Sequence, residues 1–450
     1  MKTPFFSIIL PTRNRSFIVE KAILSVINQT FSDWELLIID NDVSDETSQV
    51  VHHYINEKIK YFRTGNLAMH DNWEFGVNKV KGKFITLLED KASFVPDALE
   101  VIYHTIHKEN VPIVSWNYGV LNKKIVKNPE ASSIVFSSEQ VIQFLLSHNY
   151  NHTHRILPRF VNSCCESTII EKSKHVGVNR VFSFASPDIT SMSLQLGLYD
   201  KLAYIDKELV FFDSKTSNGG AFERKISSVQ YNDFISLSAG GNKENLVPDR
   251  TPCKLLTNYG SIINDYLSIR EKVKGRLDYY PLDIINYYTE ILRNFAYLEY
   301  SGTNISEERE IVLESLKNEN PFIQRVVFDS NNLFNRMGTN FMIRAFNSTI
   351  GALVRTGQKM AVWGAGELGL YLLRNSNYLS EYVDIVIDKD KDRHGLKIDG
   401  TGAVIYSPDI LNSQQIDVVI IASLDYAVDI KKELTDSYHF QGAVISAIDI

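Results

Sequence analysis

The chain has 450 residues, 44% hydrophobic, 22% charged and 11% aromatic, an ordinary globular composition with ample material for buried cores. The length suggests about three domains, and a net charge of −7 with a pI near 5.9 gives no basic field to recruit nucleic acid. The opening apolar run is short and meets Pro11, Arg13 and Arg15 at once, which is unlike a secretory signal. No stretch of about 18 uninterrupted apolar residues suggests a membrane span. Cys164, Cys165 and Cys253 have no metal-type spacing, and adjacent cysteines rarely pair, so a reduced cytoplasmic setting is expected.

In chain order, residues 5–10 form a short apolar run ending at Pro11 and read as a buried strand. Val19, Ala22, Ile23, Val26 and Ile27 recur at helical spacing. Residues 35–40 read as a second strand, and Ser44 with Asp45 can cap the helix that follows. Strands are predicted at 60–62, 84–88, 113–116 and 204–212, and helices over 71–80, from Pro96, and over 188–196. Strands alternating with helices predict a mostly parallel sheet covered on both faces. Residues 151–163, with His152, His154, Arg155 and Arg159, read as irregular. The α/β pattern stops at a turn cluster over 214–220. Helical spacing then dominates to residue 355, as in Tyr259, Ile262, Ile263 and Tyr266, or Ile284, Ile285, Tyr288 and Ile291. Alternation resumes at Met360, with strands predicted at 360–363, 383–387, 418–422 and 443–446. The expected division is 1–220, 221–355 and 356–450.

Open α/β sheets bind ligands beyond the carboxyl ends of their strands. Those positions hold Pro11-Thr12-Arg13-Asn14-Arg15 after the first strand, Asp40-Asn41-Asp42 after the second, and Glu89-Asp90-Lys91 after the fourth. Carboxylates there can accept hydrogen bonds from a base or ribose, or hold a divalent metal on a diphosphate. They can also be solvated strand ends.

The run from Phe6 to Arg15 resembles the opening of family 2 glycosyltransferases. So do Ala22 to Thr30 and Glu35 to Asp40, and Asn66, Met69, Asn72 and Gly82 fall where that family has its asparagine-rich loop and following helix. The resemblance covers about the first 210 residues and rests on the order and spacing of the motifs together. It implies an inverting GT-A fold that uses a nucleotide sugar as donor. Thr12 and Asp40 would then meet the base and Asp42 the ribose, with Arg13 and Asn72 also on the donor side. Glu89-Asp90-Lys91 occupies the place of the D-x-D metal motif, with Glu89 and Asp90 as expected ligands of Mn or Mg. Lys91 replaces the last acidic residue; either the metal is held in a shifted way, or the ammonium itself meets the diphosphate. Asp188, opening a helix after Ser186-Pro187, falls where the family places its base; as plain chemistry it is also a good helix cap. Arg155 and Arg159 are candidates for gripping phosphate, or ordinary surface arginines. His152 and His154 lack an evident third metal ligand.

The implied acceptor is a glycan hydroxyl, plausible carriers being lipid-linked oligosaccharides of surface polysaccharide, with peripheral association at the inner membrane face. A binding protein without turnover is the alternative that the altered metal motif raises. Near the C-terminus, Gly364-Ala365-Gly366-Glu367-Leu368-Gly369 follows a predicted strand and opens a helix, and Asp388 stands about 19 residues beyond it. Gly364, Gly366, Gly369 and Asp388 are thus candidates for nucleotide binding in a small Rossmann-like domain, with a ligand-free tight turn as the other reading. An NAD(P)-dependent oxidoreductase would need an acid–base partner beside that loop, and no convincing one stands there.

Overall fold

A computed structural model describes residues 3–120, 131–146, 155–184, 186–213, 236, 246–300, 305–334, 350, 353–354, 357–423 and 426–446. His152, His154 and the turn cluster at 214–220 lie outside the described residues. The chain divides into two compact units, Met1–Ile291 with Glu310–Glu319, and Leu292–Arg309 with Asn320–Ile450.

The first unit is built on a nine-stranded sheet. Its strands are β1 (Phe6–Thr12), β2 (Trp34–Asp40), β3 (Ile59–Arg63), β4 (Phe84–Leu87), β5 (Ala92–Phe94), β6 (Ile113–Val120), β7 (Ser133–Ser137), β8 (Ser163–Glu166) and β9 (Lys201–Phe212). They are ordered β3-β2-β1-β4-β8-β6-β9-β5, with β7 also on β9. Every residue of β1 and β2 is buried, as strands covered on both faces require, and the polar Ser7 and Glu35 within them bond each other at 2.7 Å. Their register sets Thr12 opposite Asp40, so both polar strand ends arrive at one edge. Helices α1 (Ser16–Ile27), α2 (Glu46–Val51), α3 (Met69–Val77) and α4 (Ala98–Glu109) connect these strands. In α1 the buried residues are Ile18, Val19, Ala22, Ile23 and Val26, the stripe that the spacing predicts.

The expectation of a mostly parallel sheet needs correcting. β8 lies between β4 and β6 and is antiparallel to both, while β5 and β7 run antiparallel to β9. β8 is four residues long and includes Cys164 and Cys165, both fully buried. So short a segment has no room to display a period. Beyond β6 follow α5 (Ser138–Leu146), α6 (Ile169–His175) and α7 (Pro187–Leu198). The predicted helices at 259–267 and 284–291 appear as α8 (Asn258–Val273) and α9 (Ile284–Tyr300). α8 packs against α7 within the first unit, its buried Ile262, Ile263, Tyr266 and Ile269 supplying the apolar face.

The second unit carries a five-stranded parallel sheet of β10 (Met360–Trp363), β11 (Ile385–Ile387), β12 (Val404–Tyr406), β13 (Val418–Ile421) and β14 (Ala443–Ser446). The order is β12-β11-β10-β13-β14, so the direction of winding reverses between β10 and β13. Leu372, Leu373 and Leu379 cover one side of this sheet, and Ile430 and Leu434 the other.

Candidate active site

The carboxyl ends of β2, β1 and β4 lie side by side and bring the three predicted polar segments together. Asp40 is fully buried; its Oδ2 accepts the Tyr61 hydroxyl at 2.7 Å and its Oδ1 the Asp42 amide at 2.9 Å. Burial raises its pKa above the usual carboxylate value, although both hydrogen bonds oppose the shift. Asp42 sits on a turn that its own carboxylate organises, accepting the Val43 amide at 2.6 Å and the Ser44 hydroxyl at 2.6 Å. Burial pushes this carboxyl up, but the Ser44 and Val43 bonds and the nearby Arg13 charge outweigh it and hold it below its ordinary value. The Asn14 carboxamide faces the same group, its nitrogen 2.6 Å from Oδ1 in the orientation that satisfies both.

Thr12 ends β1 and is buried beside Asp90. Arg13 donates from Nη1 to the Asn41 carbonyl at 2.9 Å, which ties the first loop to the second. Asn72 is differently placed from a donor contact. Its Nδ2 donates to the Ile39 carbonyl at 3.0 Å and its Oδ1 accepts the Thr64 hydroxyl at 2.6 Å. With 1% of its surface exposed, it braces the loop after β2 from within.

Glu89 and Asp90, expected as metal ligands, are committed otherwise. Asp90 Oδ1 accepts Arg15 Nη1 at 2.7 Å with both side chains largely buried. Glu89 Oε1 lies 3.4 Å from Lys91 Nζ. Each carboxylate thus has a cation of the chain itself, and among the described residues no group of three metal-type ligands forms. In this arrangement both carboxylates are ion-paired within the chain, and a cationic lysine stands where the motif's last carboxylate is expected.

Asp188 is the second residue of α7. The helix is buried along its length from Ile189 to Leu196, while the Asp188 side chain keeps 28% of its surface exposed. Its Oδ2 is 3.9 Å from Arg159 Nη1. Burial raises the Asp188 pKa; Arg159 opposes the rise and Glu89 adds to it, so the end of α7 and the end of β4 share one electrostatic environment. Gln195 Nε2 donates to the Pro158 carbonyl at 2.7 Å, fastening α7 to the arginine-bearing segment. Arg159 Nη2 also donates to the Tyr118 hydroxyl at 3.2 Å, and the Arg155 guanidinium lies 5.7 Å from the centre of the same ring. The two arginines of an irregular stretch are therefore gathered on one tyrosine of β6.

Sequence reasoning missed three members of this assembly. Tyr61 and Tyr118 stand in strands where an aromatic residue is ordinary packing. Asp265 lies on α8, far along the chain, with one helix-face position as its only sequence feature.

The second unit has its own polar centre. Gly364 has φ +121°, and a Cβ there would come within 2.7 Å of the Ala422 carbonyl oxygen. A Cβ at Gly369 would lie 1.8 Å from the Gly364 carbonyl oxygen, so both positions need glycine. A Cβ at Gly366 would meet open space. Asp388 Oδ2 accepts the Ala365 amide at 2.8 Å, and Arg393 Nη1 donates to the Ala365 carbonyl at 2.8 Å.

Residues 7–165 match the family Glycosyl transferase family 2, and residues 356–441 match C2185-like, N-terminal. A mixed α/β sheet with a match to a family 2 glycosyltransferase domain at the N-terminal end fits the GT-A fold. The GalNAc(5)-diNAcBac-PP-undecaprenol beta-1,3-glucosyltransferase of Campylobacter jejuni is 36% identical over 103 residues, 22% of this chain and 33% of that protein. The UDP-Glc:alpha-D-GlcNAc-diphosphoundecaprenol beta-1,3-glucosyltransferase WfgD of Escherichia coli is 27% identical over 124 residues, 27% of this chain and 48% of that protein. The chain thus spans a third to about half the length of these curated relatives. Among solved structures, S. aureus TarS 1-349 in complex with UDP-GlcNAc has 13% identity and a TM-score of 0.42, covering 74% of this chain and 92% of that one.

Proposed function

We propose that this chain transfers a sugar, with inversion, from a nucleoside-diphosphate donor to a hydroxyl of a glycan acceptor. The observation that carries the reading is the convergence of the β4 end with Asp188: a partly exposed carboxylate 3.9 Å from Arg159, its pKa raised by burial and by the charge of Glu89, which itself lies 3.4 Å from Lys91. In the proposed step the acceptor oxygen bonds to the anomeric carbon, and its proton passes to the Asp188 carboxylate. The bond from that carbon to the diphosphate oxygen breaks, and its electron pair leaves with the nucleoside diphosphate. Asp188 is suited to this because a carboxylate with a raised pKa is a stronger base. Negative charge grows on the leaving group, so preorganised cations matter most there. Lys91 and Arg159 are the residues we assign to it, with Arg155 beside the same tyrosine, Tyr118. Asp40 and Thr12 are assigned to the base, and Asp42 with Arg13 to the ribose and its neighbourhood.

The internal neutralisation of Glu89 and Asp90 supports cationic rather than metal stabilisation of the leaving group. It also favours a second reading, a nucleotide-sugar-binding protein without turnover, and detectable transfer decides between the two. The names of the two relatives support a polyprenyl-diphosphate-linked acceptor, and with it work at a membrane face. The association we propose is peripheral; among the described residues no helix is long and apolar enough to cross a membrane.

For the second unit we infer a Rossmann-like domain. Its support is the strand order, which reverses beside the loop from Gly364 to Gly369, where ligands of such sheets bind. The open space at Gly366 supports an anionic ligand against that loop. Thermal-shift measurements with a panel of UDP, GDP, CMP and dTDP sugars, with and without Mn²⁺, test the central proposal. A donor that binds the folded state must raise its apparent stability. No shift with any member would reject the donor reading.

A further inference from the structure

α7 begins with a proline, and a proline supplies no N–H with which to anchor its turn. Ser186, the cap residue, gives its carbonyl to the amides of Ile189 at 3.0 Å and Thr190 at 3.1 Å, and its side chain makes no cap bond within the helix. The Ser186 amide points away from α7 and donates to Asp265 Oδ2 at 3.0 Å. Asp265 lies on α8 and is only 5% exposed. It is a buried carboxylate placed against the backbone two residues before Asp188. Desolvation raises its pKa to about 7, and the neighbouring charge of Asp188 adds to the rise. Ser186 meets this carboxyl through both its amide and its side chain, the Asn264 side chain also bonds it, and among the described residues no cation pairs with it, so its burial is costly.

We propose that Asp265 is a positioning residue for Asp188: by accepting the Ser186 amide it fixes the first turn of α7, and so the place and direction of the carboxylate that takes the acceptor's proton. This rests on the reading of Asp188 as the base. Pro187 fixes its own φ, which leaves the Ser186 backbone as the joint about which the turn could swing, and Asp265 holds that joint. Catalytic groups displaced by about 1 Å lose rate steeply, while a donor bound at the β1, β2 and β4 ends is not affected by such a swing.

The test uses the full chain and whichever member of the UDP, GDP, CMP and dTDP sugar panel it turns over. Asp265→Leu keeps the bulk and removes the acceptor; Asp265→Asn keeps an oxygen that can accept the same amide. Asp188→Asn runs beside them. The expected result is no turnover in Asp188→Asn and a fall in kcat of about 10- to 100-fold in Asp265→Leu. Donor KM stays within about twofold, and Asp265→Asn recovers kcat to within about threefold of wild type. If Asp265→Leu fails to fold by circular dichroism, Asp265→Ala replaces it. The proposal is overturned if Asp188→Asn is inactive while the acceptor-free variant keeps wild-type kcat, if kcat and KM change together, or if Asp265→Asn gives no recovery. An active Asp188→Asn would instead overturn the reading of the base itself.

Discussion

Removing the Arg15 guanidinium should destabilise the protein in a way that depends on pH. Arg15 Nη1 meets Asp90 Oδ1 at 2.7 Å, with 16% and 6% of the two side chains exposed. At an effective dielectric constant of about 20, opposite charges about 4 Å apart between their centres attract by about 4 kcal/mol. Deleting one member of a buried pair typically costs about 3–5 kcal/mol, because the other charge is left without compensation. Burial already raises the Asp90 pKa above 3.8, with the Arg15 charge opposing the rise. In Arg15→Ala that opposition is gone and the folded-state pKa climbs further. A carboxyl with a raised folded pKa has its full stability below the unfolded pKa and loses it as pH rises through the folded value. Wild type and variant should therefore approach each other at low pH and diverge as pH rises toward 7. Urea unfolding at pH 5 and pH 7 measures this, and Asp90→Asn with the double variant completes a cycle. We expect a deficit of about 3 kcal/mol at pH 7, smaller at pH 5, and largely recovered in the double variant. A deficit below about 1 kcal/mol at pH 7, or one independent of pH, would refute the description of this pair as a buried charge compensated by Arg15.

Three further outcomes follow from the same geometry. Lys91→Ala should reduce transfer more than a chelator does; full activity in the variant with complete loss in chelator would return the diphosphate to a metal. Asp40→Ala should weaken binding of the free nucleoside diphosphate by about 1–3 kcal/mol in calorimetry, the usual cost of a lost hydrogen bond to a buried group, and unchanged affinity would remove Asp40 from the base site. Gly366→Val should leave the fold intact, because a Cβ there meets nothing within 4 Å, and should leave donor turnover at the N-terminal site unchanged. Any nucleotide that stabilises the second unit should lose that effect in the variant, and retained stabilisation would place its ligand elsewhere.

Much of the parallel part of the fold is legible in the sequence. Leu36 to Ile39 is a continuous apolar run, and Phe6 to Leu10 is one broken only by Ser7, because both faces of β1 and β2 are covered. Their polar ends are legible for the same reason, since the carboxyl edge is where such runs stop. Met360 to Trp363 with the glycines after it reads equally well, because Gly364 and Gly369 occupy positions where a Cβ collides. Of the strands in antiparallel pairings β9 reads, and the short β5 and β8 do not. β5 has three residues and β8 four, too few to establish a period of two against burial on both sides. At the site, the acidic motif after β4 is visible, but its neutralisation is not. Arg15 reaches Asp90 across 75 positions of sequence, and only the pairing of β1 with β4 brings them together. Asp265 is the extreme case, since it touches the site through a backbone amide, and a backbone amide leaves no mark in the sequence.

In the proposed mechanism Asp188 takes the acceptor's proton while the strand ends hold the donor. This mechanism is tested most directly by measuring sugar transfer and nucleotide affinity side by side in wild type and Asp188→Asn. The amide keeps the shape of the carboxylate and loses its basicity. We predict that transfer falls by about 100- to 10,000-fold while nucleotide affinity is unchanged. Transfer by folded Asp188→Asn at a rate close to wild type would contradict it.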